Sequence, residues 1–84
     1  MRINMENQNF QTSDFYTAVF LLANGFKLLE IDKSNPRRFC FVFIDQKNRA
    51  KLIEDFFNGS AWVEPRQFVS SIKELKTLMY NDAL

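Results

Sequence analysis

Histidine is absent from the 84 residues, and cysteine occurs once, at Cys40. Together these facts remove the commonest general base, the commonest metal ligand and any pair of thiolates. Cys40 lies in an apolar run, Phe39 to Ile44, that contains neither a cation nor an expected helix N-terminus of the kind that marks a reactive thiol, so a functional role for it is not expected. Among the acids, Glu30 and Asp32 are spaced to act as a pair. Two apart on an expected strand, they share a face at about 7 Å, a separation open to two-carboxylate chemistry. Nothing in the sequence supplies a cleft around them. The other acids are too dispersed for calcium or magnesium. Gly25 and Gly59 sit at expected helix ends rather than in a phosphate-cradling loop. The chain reads as a non-enzyme with no catalytic residue, metal or cofactor.

Cations are the remaining residues with chemistry to offer. Between Phe26 and Lys51 seven cations meet three anions, a local net of +4, whereas the rest of the chain carries −3 and the whole +1. Lys33, Asn35, Arg37 and Arg38 gather at an expected turn, and Arg49 and Lys51 follow near the start of a helix, where cations oppose the macrodipole. Arginine on an exposed turn can approach phosphate or read guanine, so these six residues are candidate contacts to DNA or RNA. The same charges would also serve to solvate a turn and discourage edge pairing.

The element that must position them is Lys27 to Asp45, two runs rich in Ile, Val, Phe and Leu broken by Ser34-Asn35-Pro36-Arg37. Asn and Pro favour a turn there, so the stretch reads as an antiparallel hairpin. A turn centred on Asn35-Pro36 pairs Lys33 with Arg38, Ile31 with Cys40, Leu29 with Val42 and Lys27 with Ile44. Alternation then gives an aliphatic face, Leu29, Ile31, Cys40, Val42 and Ile44, suited to helix packing. The opposite face carries Phe26, Leu28, Phe39, Phe41 and Phe43, interrupted by Glu30 and Asp32. Phe39, Phe41 and Phe43, with Trp62, form a candidate interaction face: a platform for nucleobases, a surface for a protein partner or second copy of the chain, or plain core beneath a helix.

Helices flank the hairpin. Thr12-Ser13-Asp14 offers capping oxygens ahead of an apolar run ending at Asn24-Gly25, so a helix buried on several sides is expected from about Asp14 to Asn24. An amphipathic helix from about Asn48 to Phe57 follows, with Ala50, Ile53 and Phe57 on one line and Leu52 and Phe56 beside it; Asn58-Gly59 ends it. Ala61-Trp62-Val63 has the length of a short edge strand. Pro65 then suits the first position of a last helix, whose Phe68, Ile72, Leu75 and Met79 recur at helical spacing. The expected architecture is α+β, a single small domain in the order α-β-β-α-(β)-α, with three helices packed on the hairpin. It spans 12–80, preceded by a flexible arm over 1–11, with at most a short strand near Ile3, and followed by a tail over 81–84 into which Tyr80 frays. The longest apolar run, Ala18 to Ala23, is far too short for a membrane span, and the opening residues lead into Asn and Gln. With a lone cysteine, the expected location is the cytoplasm.

Thr12-Ser13-Asp14-Phe15-Tyr16, Phe20-Leu21-Leu22-Ala23, Gly25-Phe26-Lys27-Leu28, Asn35-Pro36-Arg37-Arg38 and Phe41-Val42-Phe43, taken together over about residues 12 to 80, resemble a family of small bacterial and phage domains of unknown function. The resemblance continues more weakly into Asn58-Gly59 and Val63-Glu64-Pro65-Arg66. It implies a compact α+β domain, often on mobile elements, and carries over no catalytic residues. Two functional readings stand: a binding module that contacts nucleic acid through the basic hairpin tip, and a protein-interaction module or homodimer that uses the Phe-rich face.

Overall fold

The computed structural model describes residues 8–81. Along the chain run β1 (Asn9–Thr12), α1 (Phe15–Ala23), β2 (Leu28–Asp32), β3 (Cys40–Ile44), α2 (Arg49–Asn58) and α3 (Pro65–Met79). The expected order of hairpin and helices is present, with a strand added in front. The strands form one antiparallel sheet in the order β1-β3-β2. A two-stranded ribbon is marginal alone, and the third strand that completes it comes from Asn9–Thr12. Asn9 to Gln11 were expected to belong to a loose arm and Thr12 to the start of the first helix. Ala61-Trp62-Val63 is not a strand, and the region around Ile3 lies outside the described residues.

Helix ends follow local chemistry. Asp14 Oδ2 accepts from the Thr17 amide at 2.8 Å and from the Thr17 hydroxyl at 2.7 Å, capping α1. At its other end the Gly25 amide donates to the Leu22 carbonyl and the Phe26 amide to the Leu21 carbonyl, with Gly25 at φ 86°. This pair of bonds turns the chain toward β2 while Phe26 drops into the core. The same arrangement closes α2 through Gly59, at φ 76°, with Ser60 donating to Asp55. Glu64 caps α3, and Pro65 occupies its first turn.

All three helices contribute to one core on one side of the sheet. Ala18, Val19 and Leu21 of α1, Phe26, Ile31 of β2, Phe41 and Phe43 of β3 and Leu75 of α3 form its buried centre. The helices therefore cover the Phe side of β3, and the expected aliphatic side is left open. Two features of the structure explain the inversion. Leu29 is an extra residue in β2, since Leu28 pairs with Phe43 and Glu30 with Val42. Below that bulge Ile31 faces Phe41 and Asp32 faces Cys40, one step out of the expected register. The bulge thus turns Leu28 and Ile31 inward together and places Glu30 and Asp32 outward. In a regular strand the two carboxylates would share the side of Phe41 and Phe43, and covering that side would bury unpaired charge at a cost of several kcal/mol.

The open face carries Asn9 and Gln11 on β1, Cys40, Val42 and Ile44 on β3, and Glu30 and Asp32 on β2. Val42 is itself buried, on the central strand between Gln11 and Glu30, and Ile44 is 37% exposed. On α2, Leu52, Ile53 and Phe56 are half-buried, while Phe57, expected on the packed line, stands 68% exposed. No described helix is long and apolar enough to cross a membrane.

Candidate functional site

The turn between β2 and β3 is built by short side chains. Asp32 Oδ1 accepts from the Ser34 amide and Asn35 Oδ1 from the Arg37 amide, both at 3.0 Å, while the Arg38 amide donates to the Asn35 carbonyl. The bond from the Ser34 backbone, then that from its hydroxyl, holds the Asp32 carboxyl below its ordinary pKa. A lowered value means this contribution to the turn is present above the unfolded pKa and is lost as pH falls through the folded one. It is also the wrong direction for a general acid at neutral pH. Asn35 thus shapes the turn. Beyond it Arg37 and Arg38 stand exposed, and among the described residues neither guanidinium has an ion-pair or hydrogen-bond partner.

The six residues expected to contact nucleic acid do not form one site. Arg37 and Arg38 precede β3, whereas Arg49 and Lys51 follow it, with roughly 15 Å of strand between. Arg49 is also occupied. Its Nε and Nη2 donate to the two oxygens of Asp45 at 3.1 and 3.3 Å, and its guanidinium lies 4.2 Å from the centre of the Phe10 ring. The residue thereby fastens the start of α2 to β1 and to the end of β3. Lys51 pairs with Asp55 one turn along α2, and that hydrogen bond raises the lysine pKa. Lys33 Nζ donates to the carbonyls of Leu78 at 3.3 Å and Asn81 at 2.8 Å, holding the C-terminal end of α3 beside the hairpin.

The interaction face divides in the same way. Phe41 and Phe43 are core residues beneath the helices and Phe39 is half-buried at the end of that row, so the three do not form an open stacking platform or dimer surface. Three phenylalanines bury more apolar area than Cys40, Val42 and Ile44, which is why the helices cover them. Trp62 is the member of that set that remains available, at 89% exposure.

What the turn does adjoin is an open groove of about 380 Å³. Pro36, Arg37 and Arg38 of the turn line it together with the aromatic residues Phe15, Phe39 and Tyr80 and with Met79. The volume falls within the range of small-ligand clefts, about 300–1,000 Å³. Tyr80, expected to fray, instead caps α3 through its amide to the Lys76 carbonyl, and the residue is 78% exposed. Its place in the lining depends on Lys33, a contact between residues 45 and 48 positions apart that no local pattern reveals. Elsewhere Glu30 and Asp32 are exposed on the open face, and the Cys40 thiol lies 3.5 Å from Gln11 Oε1. No three metal-ligating side chains cluster among the described residues.

Fold and site together define a small two-layer α+β domain in which helices cover one side of a three-stranded sheet and two exposed arginines, without side-chain partners among the described residues, line an aromatic groove. The chain belongs to the DUF5659 family, a domain of unknown function, whose model matches residues 7–81 and so takes in β1. No curated protein and no solved structure matches it.

Proposed function

We propose that the domain is a non-enzymatic binding module that contacts nucleic acid through the Arg37–Arg38 turn. The observation that carries this reading is the contrast among the five cations singled out: Lys33, Arg49 and Lys51 have side-chain partners within the fold, and among the described residues the guanidiniums of Arg37 and Arg38 have none. Origin in a phage or other mobile element, suggested by the sequence resemblance, and a cytoplasmic location, consistent with a single free thiol, belong to the same proposal. With a net charge of +1 the whole-molecule field is weak, so binding rests on local contact and is salt-sensitive. In anisotropy titrations at low salt, labelled single- or double-stranded oligonucleotides should bind. The variant Arg37→Ala with Arg38→Ala should bind more weakly, and its plot of log K against log salt should be flatter by about 1 to 2 units, the loss of two phosphate contacts. No detectable binding to any oligonucleotide at low salt would remove the reading.

A second reading, a protein-interaction module or homodimer, is favoured by Trp62. The indole lies with Pro65 along a shallow depression, Pro65 adjoins the exposed Val69 in the next, and Phe57 is exposed on α2. Trp62 is the only tryptophan, so its emission reports on this surface alone. The nucleic-acid reading expects a monomer by light scattering and a water-exposed indole at every protein concentration. Self-association instead requires a blue shift with concentration and a dimer that Trp62→Ser dissociates.

A further inference from the structure

We propose, resting on the nucleic-acid reading above, that the groove beside Arg37 and Arg38 takes one unpaired base of a single strand, with the Tyr80 ring stacked against it and the two guanidiniums on the flanking phosphates. The lining combines the two things such a ligand presents. Arg37 and Arg38, with no ion-pair partner among the described residues, supply positive charge, and Phe15, Phe39 and Tyr80 supply aromatic surface within the same 380 Å³. A base has a π-face and a phosphate at fixed reach, so it satisfies both. In a duplex the bases are already stacked on one another, and the aromatic lining of the groove could not be used.

Other parts of the fold argue against the alternatives. Sheets that bind single strands across their face present aromatic side chains there, but the open face here presents Glu30, Asp32, Asn9 and Gln11 and no aromatic residue. Its carboxylates would repel phosphate. Reading a duplex through the major groove commonly uses a helix with free basic residues near its N-terminus. In α2 those residues are Arg49 and Lys51, both ion-paired within the domain. The strand therefore engages the end of the sheet, at the turn.

Tyr80 is exposed, so its replacement leaves the core untouched, and thermal melts of each variant verify that. The probes are a labelled thymidine oligonucleotide, the same backbone with abasic sugars, and a hairpin duplex of the same sequence length. Wild-type protein should prefer the thymidine strand to both others. Tyr80→Ala should weaken that complex roughly 5- to 100-fold, the range for loss of one stacked base, whereas Tyr80→Phe should retain it and binding of the duplex should not change. Equal affinity for the thymidine and abasic strands, or no effect of Tyr80→Ala while Arg37→Ala with Arg38→Ala still weakens binding, would overturn this inference and leave the broader reading standing. Absence of binding to all three probes would overturn both.

Discussion

Phe41→Ala is expected to lower unfolding free energy by about 3–5 kcal/mol, while Ile44→Ala, three residues further along the same strand, should cost well under half as much. Phe41 is 2% exposed, packs edge-on against Phe15 at 6.4 Å and lies opposite Ile31. Truncation removes a ring from the centre of the core and leaves a cavity that α1 and β2 cannot collapse to fill. Ile44 keeps 37% of its surface in water on the open face. For an 84-residue domain with a stability of about 4–13 kcal/mol, the first substitution removes a large share and the second does not. Urea unfolding of the two variants checks this directly. A larger loss from Ile44→Ala would mean that the helices cover the aliphatic side after all.

That comparison also marks where the sequence was legible. Alternation along Phe39 to Ile44 separates the two sides of β3 correctly, because the two-residue period is a property of one strand. Which side is covered depends on β2, and there one extra residue at Leu29 defeats the alternation rule. A bulge is chosen by the competition between burying Ile31 and exposing Glu30 and Asp32, and that competition appears only when both strands are paired. The helix ends at Asp14, Gly25, Gly59 and Pro65 were legible for the opposite reason: each is settled within a few residues. β1 was missed because Asn9-Phe10-Gln11-Thr12 has little strand character of its own. Its pairing with β3 supplies the hydrogen bonds, and the Arg49 guanidinium covers the Phe10 ring.

Charge was read less well than apolar pattern. The basic excess from Phe26 to Lys51 is real in the sequence, but counting assigns every cation to solvent. In the fold Lys33 closes the end of α3, and Arg49 locks onto Asp45 and Phe10. The Lys33 contacts and the stacking of Arg49 on Phe10 join elements distant in the chain, and a long cationic side chain finds such partners without any periodic signature. What remains of that excess is exposed Lys27 and Lys47 and, on a turn that Asp32 and Asn35 shape, the adjacent Arg37 and Arg38, which line a groove with a tyrosine whose position was not evident from the last residues of α3.

Phe20→Ala should cost a similar 3–5 kcal/mol, and its effect should be felt first in α2. That helix has no fully buried residue of its own. Its attachment to α1 centres on the Phe56 ring, stacked on Phe20 at 4.7 Å and 20°, with Leu52 and Ile53 reaching the core and the Arg49–Asp45 pair holding the first turn. Phe20 is 1% exposed and also lines a depression with Val63 and Phe68, so its ring joins α2, the following loop and α3. Without it the rest of α2's apolar area is too small to offset the entropy of ordering ten residues. Hydrogen exchange should therefore show amides of α2 losing protection under conditions where β3 and α1 keep theirs. Because the Arg37–Arg38 turn and Tyr80 do not rest on α2, oligonucleotide binding by the folded fraction should survive. Uniform loss of protection across α1, α2 and β3 together would show instead that α2 is an inseparable part of the cooperative core.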